Sequence, residues 1–406
     1  MNDNANDLNI STPLLPKSRR LWMAIILGSL SAFGPLSIDM YLPSLPSLAK
    51  ELSSSTSIAQ LSLTACLLGL SLGQLLAGSQ SDIQGRRTPL LVGLFIFFIS
   101  SLLCAVSSSI WILIFMRFLQ GLAGSAGIVI SRAIVRDLYS GIEMIRFFAL
   151  LMLVNGAAPI LAPILGGQLL QFTSWRGVFI VLSIFGFLML LAVLFGLPET
   201  LPVCRRSKSG IINTLSSFRD LICDPIFMGY ALPQGLVVAA MFAYISGSPF
   251  VIQDIFGATP QLFSVFFAIN GLGIITAGQI TARLADRISV DKLFVIGLGM
   301  ASIGGMSLLI MILMGVGLWG ILPSLFVVVS SVGIVGTSGS SLAMENYGRL
   351  AGSASAMLGL LSFIFGALLA PLVGLGGNST AVPMGVVIAT ADVSSLLLYA
   401  VLRRRR

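Results

Sequence analysis

The sequence predicts an all-α membrane protein of twelve transmembrane helices arranged as two pseudo-symmetric six-helix bundles. Three observations predict it. Of 406 residues, 56% are hydrophobic and only 9% are charged, against roughly 25% charged in a soluble domain. Apolar stretches of about 20 residues, the length needed to cross a bilayer, recur along the whole chain. The charges that do occur gather between these stretches, mostly on one side when successive loops alternate. A transmembrane barrel is excluded, because the apolar runs are too long and do not alternate.

In order, the first six stretches are Leu21–Pro43, Ile58–Gln80, Pro89–Ser108, Ile110–Ser131, Arg146–Gln171 and Val178–Leu197. The second six are Ile226–Val251, Leu262–Arg283, Leu293–Met314, Leu318–Ser340, Ala351–Leu375 and Val382–Leu402. Between the sets lies the longest polar stretch, with Arg205, Arg206, Lys208 and Arg219. The expected organisation is therefore a tail (1–20), a six-helix bundle (21–197), a linker (198–225), a second bundle (226–402) and a basic tail (403–406).

Twelve spans put both termini on one side. Counting by alternation, all but Lys50, Arg117 and Arg176 of the 23 basic residues fall on or near that side. The positive-inside rule makes it cytoplasmic, and the formal net charge of +8 then needs no nucleic-acid partner. Trp22 is placed at an inner boundary and Trp111, Trp175 and Trp319 at outer ones, as an aromatic belt requires. The polar N-terminal segment, with Asp3 and Asp7, lacks the basic and apolar regions of a cleaved signal peptide.

Histidine is absent, which removes His-ligated metals, Ser-His-Asp catalysis and histidine proton shuttles. A proton carrier within the membrane is then expected to be a carboxylate. Cys66, Cys104, Cys204 and Cys223 form no CxxC pair and suggest no disulfide framework. No metal, cofactor or Walker A loop is expected. Gly315-Val-Gly317-Leu-Trp-Gly320 fits GxGxxG, but at a turn between apolar helices with no βαβ context. The second half echoes the first: Asp82, in the loop after the second stretch, and Asp286, after the eighth, occupy matching places. Parallel six-helix repeats of this kind recur in secondary transporters.

Ordered motifs then carry a family resemblance over nearly the whole chain. They are Ser37-Ile-Asp39-Met-Tyr41-Leu-Pro43 in the first span and Gly78 to Leu90 with Asp82, Gly85, Arg86 and Arg87. Arg117-Phe-Leu-Gln120-Gly121 follows in the fourth, and Gly156 with Ala162-Pro163-Ile-Leu-Gly166-Gly167 in the fifth. Trp175-Arg176, Leu197-Pro198-Glu199-Thr200 and Ala351-Gly352-Ser353-Ala354-Ser355-Ala356 complete the set. The chain resembles the major facilitator superfamily, specifically its twelve-helix drug/proton antiporters of the bicyclomycin-resistance branch. It departs from the pattern at Ile83, where a basic residue is usual, and at Ala162, where glycine is usual.

Asp39 is the first candidate site residue. An ionised carboxylate in a bilayer costs at least about 2.5 kcal/mol and needs a partner, water or a proton. Gly34-Pro35 before it is expected to loosen the helix, since Pro35 supplies no backbone donor and crowds the Ser31 carbonyl. Arg117, in the same outer half, is the expected partner. The alternatives are that Asp39 caps the end of an interrupted helix and that Arg117 snorkels to the headgroups. The inner loop (Asp82, Gly85, Arg86, Arg87) is expected to latch the two halves. Gly156, Pro163, Gly166 and Gly167 are expected to seal them, in a fifth helix that the resemblance implies is bent. Substrate-binding candidates are Tyr41, Gln120, Asn155, Gln234, Met241, Tyr244, Ser248, Phe250 and Asn270. Asp392, in the last stretch, matches no motif; bonding to Ser394 or Ser395 is the expectation.

The function expected is proton-coupled export of small amphipathic drugs across the bacterial cytoplasmic membrane, by a monomer needing no cofactor beyond the proton gradient. The alternatives are a transporter of a normal metabolite on the same scaffold and an intramembrane enzyme, which the missing histidine and cofactor fingerprints disfavour.

Overall fold

A computed structural model of the protein describes residues 17–139, 141–206, 218–345, 347, 351–377 and 379–404. The first 16 residues, 207–217 of the linker with Lys208, and Arg405 and Arg406 lie outside the described residues. Among those described, eleven helices are long and apolar enough to cross a membrane, and the bent pair Leu21–Ser31 and Phe33–Glu51 makes a twelfth.

The first span is broken. It runs Lys17–Ser31, Phe33–Asp39, a 3-10 turn Leu42–Ser44 and then Leu45–Glu51, with a bend of 40° at the first break. The break falls where Pro35 supplies no N–H for the Ser31 carbonyl; the Ser31 hydroxyl donates instead to the Gly28 carbonyl at 2.8 Å. The remaining spans of the first bundle are Thr56–Gln84, Arg87–Val106, Ile110–Leu138, Gly141–Leu169 and Trp175–Gly196. The second bundle comprises Pro225–Pro249, Pro260–Leu284, Val290–Leu313, Leu318–Met344, Ala351–Leu369 and Val382–Arg404. The fifth span is one helix through Pro159 and Pro163.

Two of the spans change hydrogen-bond pattern before their expected ends, each at a proline. Pro249 removes a donor from the end of the seventh span, and the chain continues as a π-helical turn, Phe250–Ile255. Pro371 does the same for the eleventh, which ends at Leu369 and continues as a 3-10 turn, Ala370–Gly376. Helix starts are conventional: the Asp224 carboxylate accepts from the backbone N–H of Ile226 at 2.8 Å, and the Thr259 hydroxyl accepts from Leu262 at 3.2 Å.

The internal repeat is visible in the packing. In the first bundle the second and fourth spans approach backbone to backbone, where a Cβ at Gly121 would overlap the Cys66 carbonyl. In the second bundle the eighth and tenth meet the same way, Gly333 lying against the Ile274 carbonyl. Small residues permit such approach where lipid supplies no hydrophobic drive between helices.

Among the described residues, five hydrogen bonds join the two bundles at the end away from the termini. Lys50 Nζ donates to Asp254 at 2.7 Å, Gln253 to the Pro43 carbonyl at 3.2 Å and Gln60 to the Ser246 carbonyl at 3.1 Å. Gln261 donates to the Gly167 carbonyl at 2.8 Å, and Ser264 to the Pro163 carbonyl at 2.7 Å. Gly166 packs within the first bundle, so close to the Met40 carbonyl that any Cβ would overlap it, whereas Gly167 faces the other half, where a Cβ would come within 2.5 Å of Ser264 Oγ. The far end of the molecule is thus closed.

Three of the four tryptophans lie at the lipid-facing surface: Trp22, Trp111 and Trp319 are 46%, 62% and 75% exposed. Trp175 is a correction. It is buried, donates to Glu51 at 2.7 Å and meets Phe179 edge-on, so it braces the first span rather than joining the belt.

Candidate functional site

Below the closed end, a cavity of about 530 Å³ lies between the bundles. The first span contributes Pro35 and Asp39, the second Gln74, the fourth Arg132 and the fifth Asn155. The second bundle contributes Met241, Tyr244 and Asn270. Asn270 donates to the Tyr244 hydroxyl at 2.8 Å, and the Tyr244 ring stacks on Phe267 at 5.6 Å. Asn155 donates to its own helix, at the Leu151 carbonyl. Such an aromatic, thioether and amide lining suits amphiphilic ligands of varied shape.

Asp39 is the only acidic residue of this wall among the described residues. It is 5% exposed, and no ion pair or hydrogen bond holds its carboxylate among the described residues. A carboxylate so placed is open to a proton or a ligand cation.

Arg117 is not its partner, contrary to the sequence expectation. The guanidinium is fully buried behind the cavity wall, 4.5 Å above the Tyr41 ring and 5.6 Å from that of Phe179. It donates to the Gln120 side chain, which in turn donates to Ser101 Oγ at 2.7 Å. Tyr41 is bonded to Ser62. The helix register explains this: Tyr41 lies past the end of the Phe33–Asp39 segment, where the chain has turned into the first bundle.

Of the nine substrate-binding candidates, Asn155, Met241, Tyr244 and Asn270 line the cavity. Tyr41 and Gln120 are packed around Arg117. Gln234 bonds Ser340 at 3.1 Å nearer the termini, and Ser248 and Phe250 are buried towards the closed end. Gln74 and Arg132 were missed. The fourth span runs to Leu138, two helical turns beyond the expected Ser131; Arg132 follows Ile128 by four residues, which places both on one face.

A second hollow shares Gln74, Arg132, Ser355 and Phe363 with the cavity and continues towards the termini, past Asp82, Arg86 and Arg136. Here the inner loop forms a charge network. Arg86 is 2% exposed and donates to Asp82 at 2.5 Å, Asp137 at 2.7 Å and Ser81 at 2.9 Å. Gly85, at φ +101°, turns the chain so that the backbone N–H groups of Arg86 and Arg87 reach Glu199. Burial alone would raise the Glu199 carboxyl, but four backbone donors, from Leu201, Arg86, Arg87 and Thr200, hold it below the ordinary glutamate range. Every side-chain partner of Arg86 belongs to the first bundle. The ring therefore braces one half, facing Ser353 and Ser355 of the other across the hollow.

Gly156 and Ile275 face each other across the bundle boundary, at ordinary contact distance for an added Cβ. Asp392 lies outside the cavity, fully buried beside Gly305 between the ninth and twelfth spans. Its carboxylate oxygens have no hydrogen-bond partner. The Ser395 hydroxyl donates to the Asp392 backbone carbonyl at 2.7 Å, not to the carboxylate as expected.

Comparison with known proteins agrees with this architecture. The chain is 47% identical over 389 residues to an uncharacterized MFS-type transporter, YdgK, of Bacillus subtilis, covering 95% of this chain and 96% of that one. It is 29% identical to a bicyclomycin resistance protein homolog of Haemophilus influenzae, over 94% of this chain and 96% of that one. A crystal structure of the nucleoside transporter NupG superposes with a TM-score of 0.77 over 95% of this chain and 99% of the other, at 14% identity. The family model described as Major Facilitator Superfamily matches residues 24–371, and the chain belongs to that superfamily of membrane transporters.

Proposed function

We propose that the protein exports small amphipathic compounds across the bacterial cytoplasmic membrane in exchange for protons, with Asp39 as the proton carrier. The observation that carries the reading is a single carboxylate, without an ion-pair partner, on the wall of the cavity between the bundles. The likeness to a bicyclomycin resistance protein homolog supports a drug as cargo. The chain contains no histidine to serve instead.

The cycle follows from electrostatics. With the far end closed, ionised Asp39 attracts a cationic or hydrogen-bonding substrate from the side of the termini, which the basic asymmetry makes cytoplasmic. The bundles then rock about the cavity, and the far end opens as its five hydrogen bonds part. A proton from outside neutralises Asp39, which releases the substrate and lowers the cost of returning the carboxyl through the apolar closed state. Each pH unit across the membrane supplies about 1.4 kcal/mol per proton. The break at Ala32 gives the first span a hinge about two helical turns before the group that titrates. Arg117, packed on Tyr41, positions the segment after Asp39 rather than neutralising it.

The test is expression in an efflux-deficient bacterium, challenged with a panel of antibiotics and cationic dyes. Protection that collapses with a protonophore is the expected result. Unchanged sensitivity across the panel, with uptake or export of an amino acid or sugar in proteoliposomes, would favour the metabolite transporter.

A further inference from the structure

Arg132 is the only basic residue on the wall of the central cavity among the described residues, as Asp39 is the only acidic one. Its surroundings leave its charge unanswered. The nearby Arg86 is taken up by Asp82 and Asp137. Arg132 itself forms no ion pair or side-chain hydrogen bond among the described residues, although its side chain is exposed where the cavity opens into the second hollow. Arg136, one turn further on, lines the same hollow. An arginine kept without a carboxylate beside an apolar cavity is a ready donor for an anionic group, which its planar fork binds through two hydrogen bonds.

The position of the two charges adds a length. Gly34 of the first span lies against Ile128 of the fourth, an added Cβ coming within 2.9 Å of it. From that crossing the first span rises towards the closed end and reaches Asp39 after five residues. The fourth descends towards the termini and reaches Arg132 after four. At a rise of about 1.5 Å per residue, the backbones of Asp39 and Arg132 are offset by about 14 Å along the bundle axis. Side chains reaching inward shorten that gap. The rest of the wall is mostly apolar, with Ile38, Ile128, Met241 and Phe267, and its polar groups other than these two charges are uncharged: Gln74, Asn155, Tyr244, Asn270 and Ser355.

We infer that the cavity selects zwitterionic amphiphiles: a cationic end at Asp39, an apolar body between, and a carboxylate held by Arg132 at the mouth. This rests on the cavity being the substrate site and goes further in naming the chemistry of the substrate's other end. Protonation of Asp39 would loosen the cationic end only, so the carboxylate stays tethered until the mouth has closed and the far end has opened.

The experiment is fluorescence-detected binding to the purified full-length protein of a matched pair. Norfloxacin carries a piperazinium and a carboxylate at opposite ends of an aromatic body; its methyl ester keeps the cation and loses the anion. The protein is expected to bind the acid more tightly than the ester. Arg132→Gln should weaken the acid about tenfold and change the ester less than twofold, and Arg132→Lys should restore most of the difference. Ester binding by each variant reports that it is folded. Equal loss of both compounds in Arg132→Gln, or no loss of either, overturns the inference. Wild-type binding of the ester but not the acid overturns it while leaving the cavity as the site. Binding of neither overturns both.

Discussion

At Asp39 the sequence places a carboxylate where the bilayer penalises charge by at least about 2.5 kcal/mol, and the described residues supply neither an ion-pair cation nor a hydrogen bond to offset it. The inner-loop acids are treated in the opposite way. Asp82 and Asp137 share Arg86, but Asp82 is 49% exposed and Asp137 12%. Asp82→Asn should therefore lower stability by at most about 1 kcal/mol. Asp137→Asn, which strips a charge-assisted bond from a buried guanidinium, should cost about 1–3 kcal/mol. Thermal melting of the two variants in detergent checks the order, and a larger loss at Asp82 would contradict it. Glu199 gives a pH dependence with a definite sign. Its folded pKa lies below the unfolded value of about 4.3, so its stabilisation is full above that value and is lost as pH falls through the folded pKa. Glu199→Gln should be less stable than the parent at neutral pH, with the gap narrowing on acidification. A gap that widens in acid would count against the backbone-donor account.

At the scale of elements, prolines decide where helices stop being regular; the first of these breaks was legible in the sequence, but the expected seventh and eleventh spans ran past the other two. Pro35 predicts the break in the first span, and Pro249 and Pro371 mark where the seventh and eleventh change hydrogen-bond pattern. Side-chain direction was less legible. Asp39 and Arg117 share a depth, which the residue count gave, but not a face. The turn after Asp39 swings Tyr41 into the first bundle, and Arg117 follows it there. Arg132 falls one residue past the expected fourth stretch, because apolarity alone marks where lipid contact ends, not where a helix lining a wet hollow ends. The elements at the closed end carry a further prediction. In a variant with Cys204 and Cys223, the two exposed cysteines, replaced by serine, Lys50→Cys and Asp254→Cys should accept a short bifunctional thiol crosslinker. Crosslinking should abolish transport, and reductive cleavage of the linker should restore it. Full turnover while crosslinked would mean that this end need not open.

Across the whole molecule, two bundles hold one cavity closed at one end and continuous with a polar hollow at the other. Repeated close packing of the second with the fourth span, and the eighth with the tenth, leaves each bundle rigid enough to move as a body. The repeat does not extend to the charges: among the described residues no ion pair forms at Asp286, while Asp82 anchors a network. On the sidedness proposed from the basic asymmetry, Cys204 should resist a membrane-impermeant maleimide on intact cells and react once they are permeabilised. The most direct test of the account is gradient-driven efflux by Asp39→Asn in proteoliposomes, with substrate binding measured separately. Asparagine keeps the size of the side chain and fixes its charge at zero. The variant is expected to retain binding of neutral substrates yet show no uphill export under an imposed pH gradient. Gradient-driven export at the parent rate would contradict the assignment of Asp39 as the proton carrier.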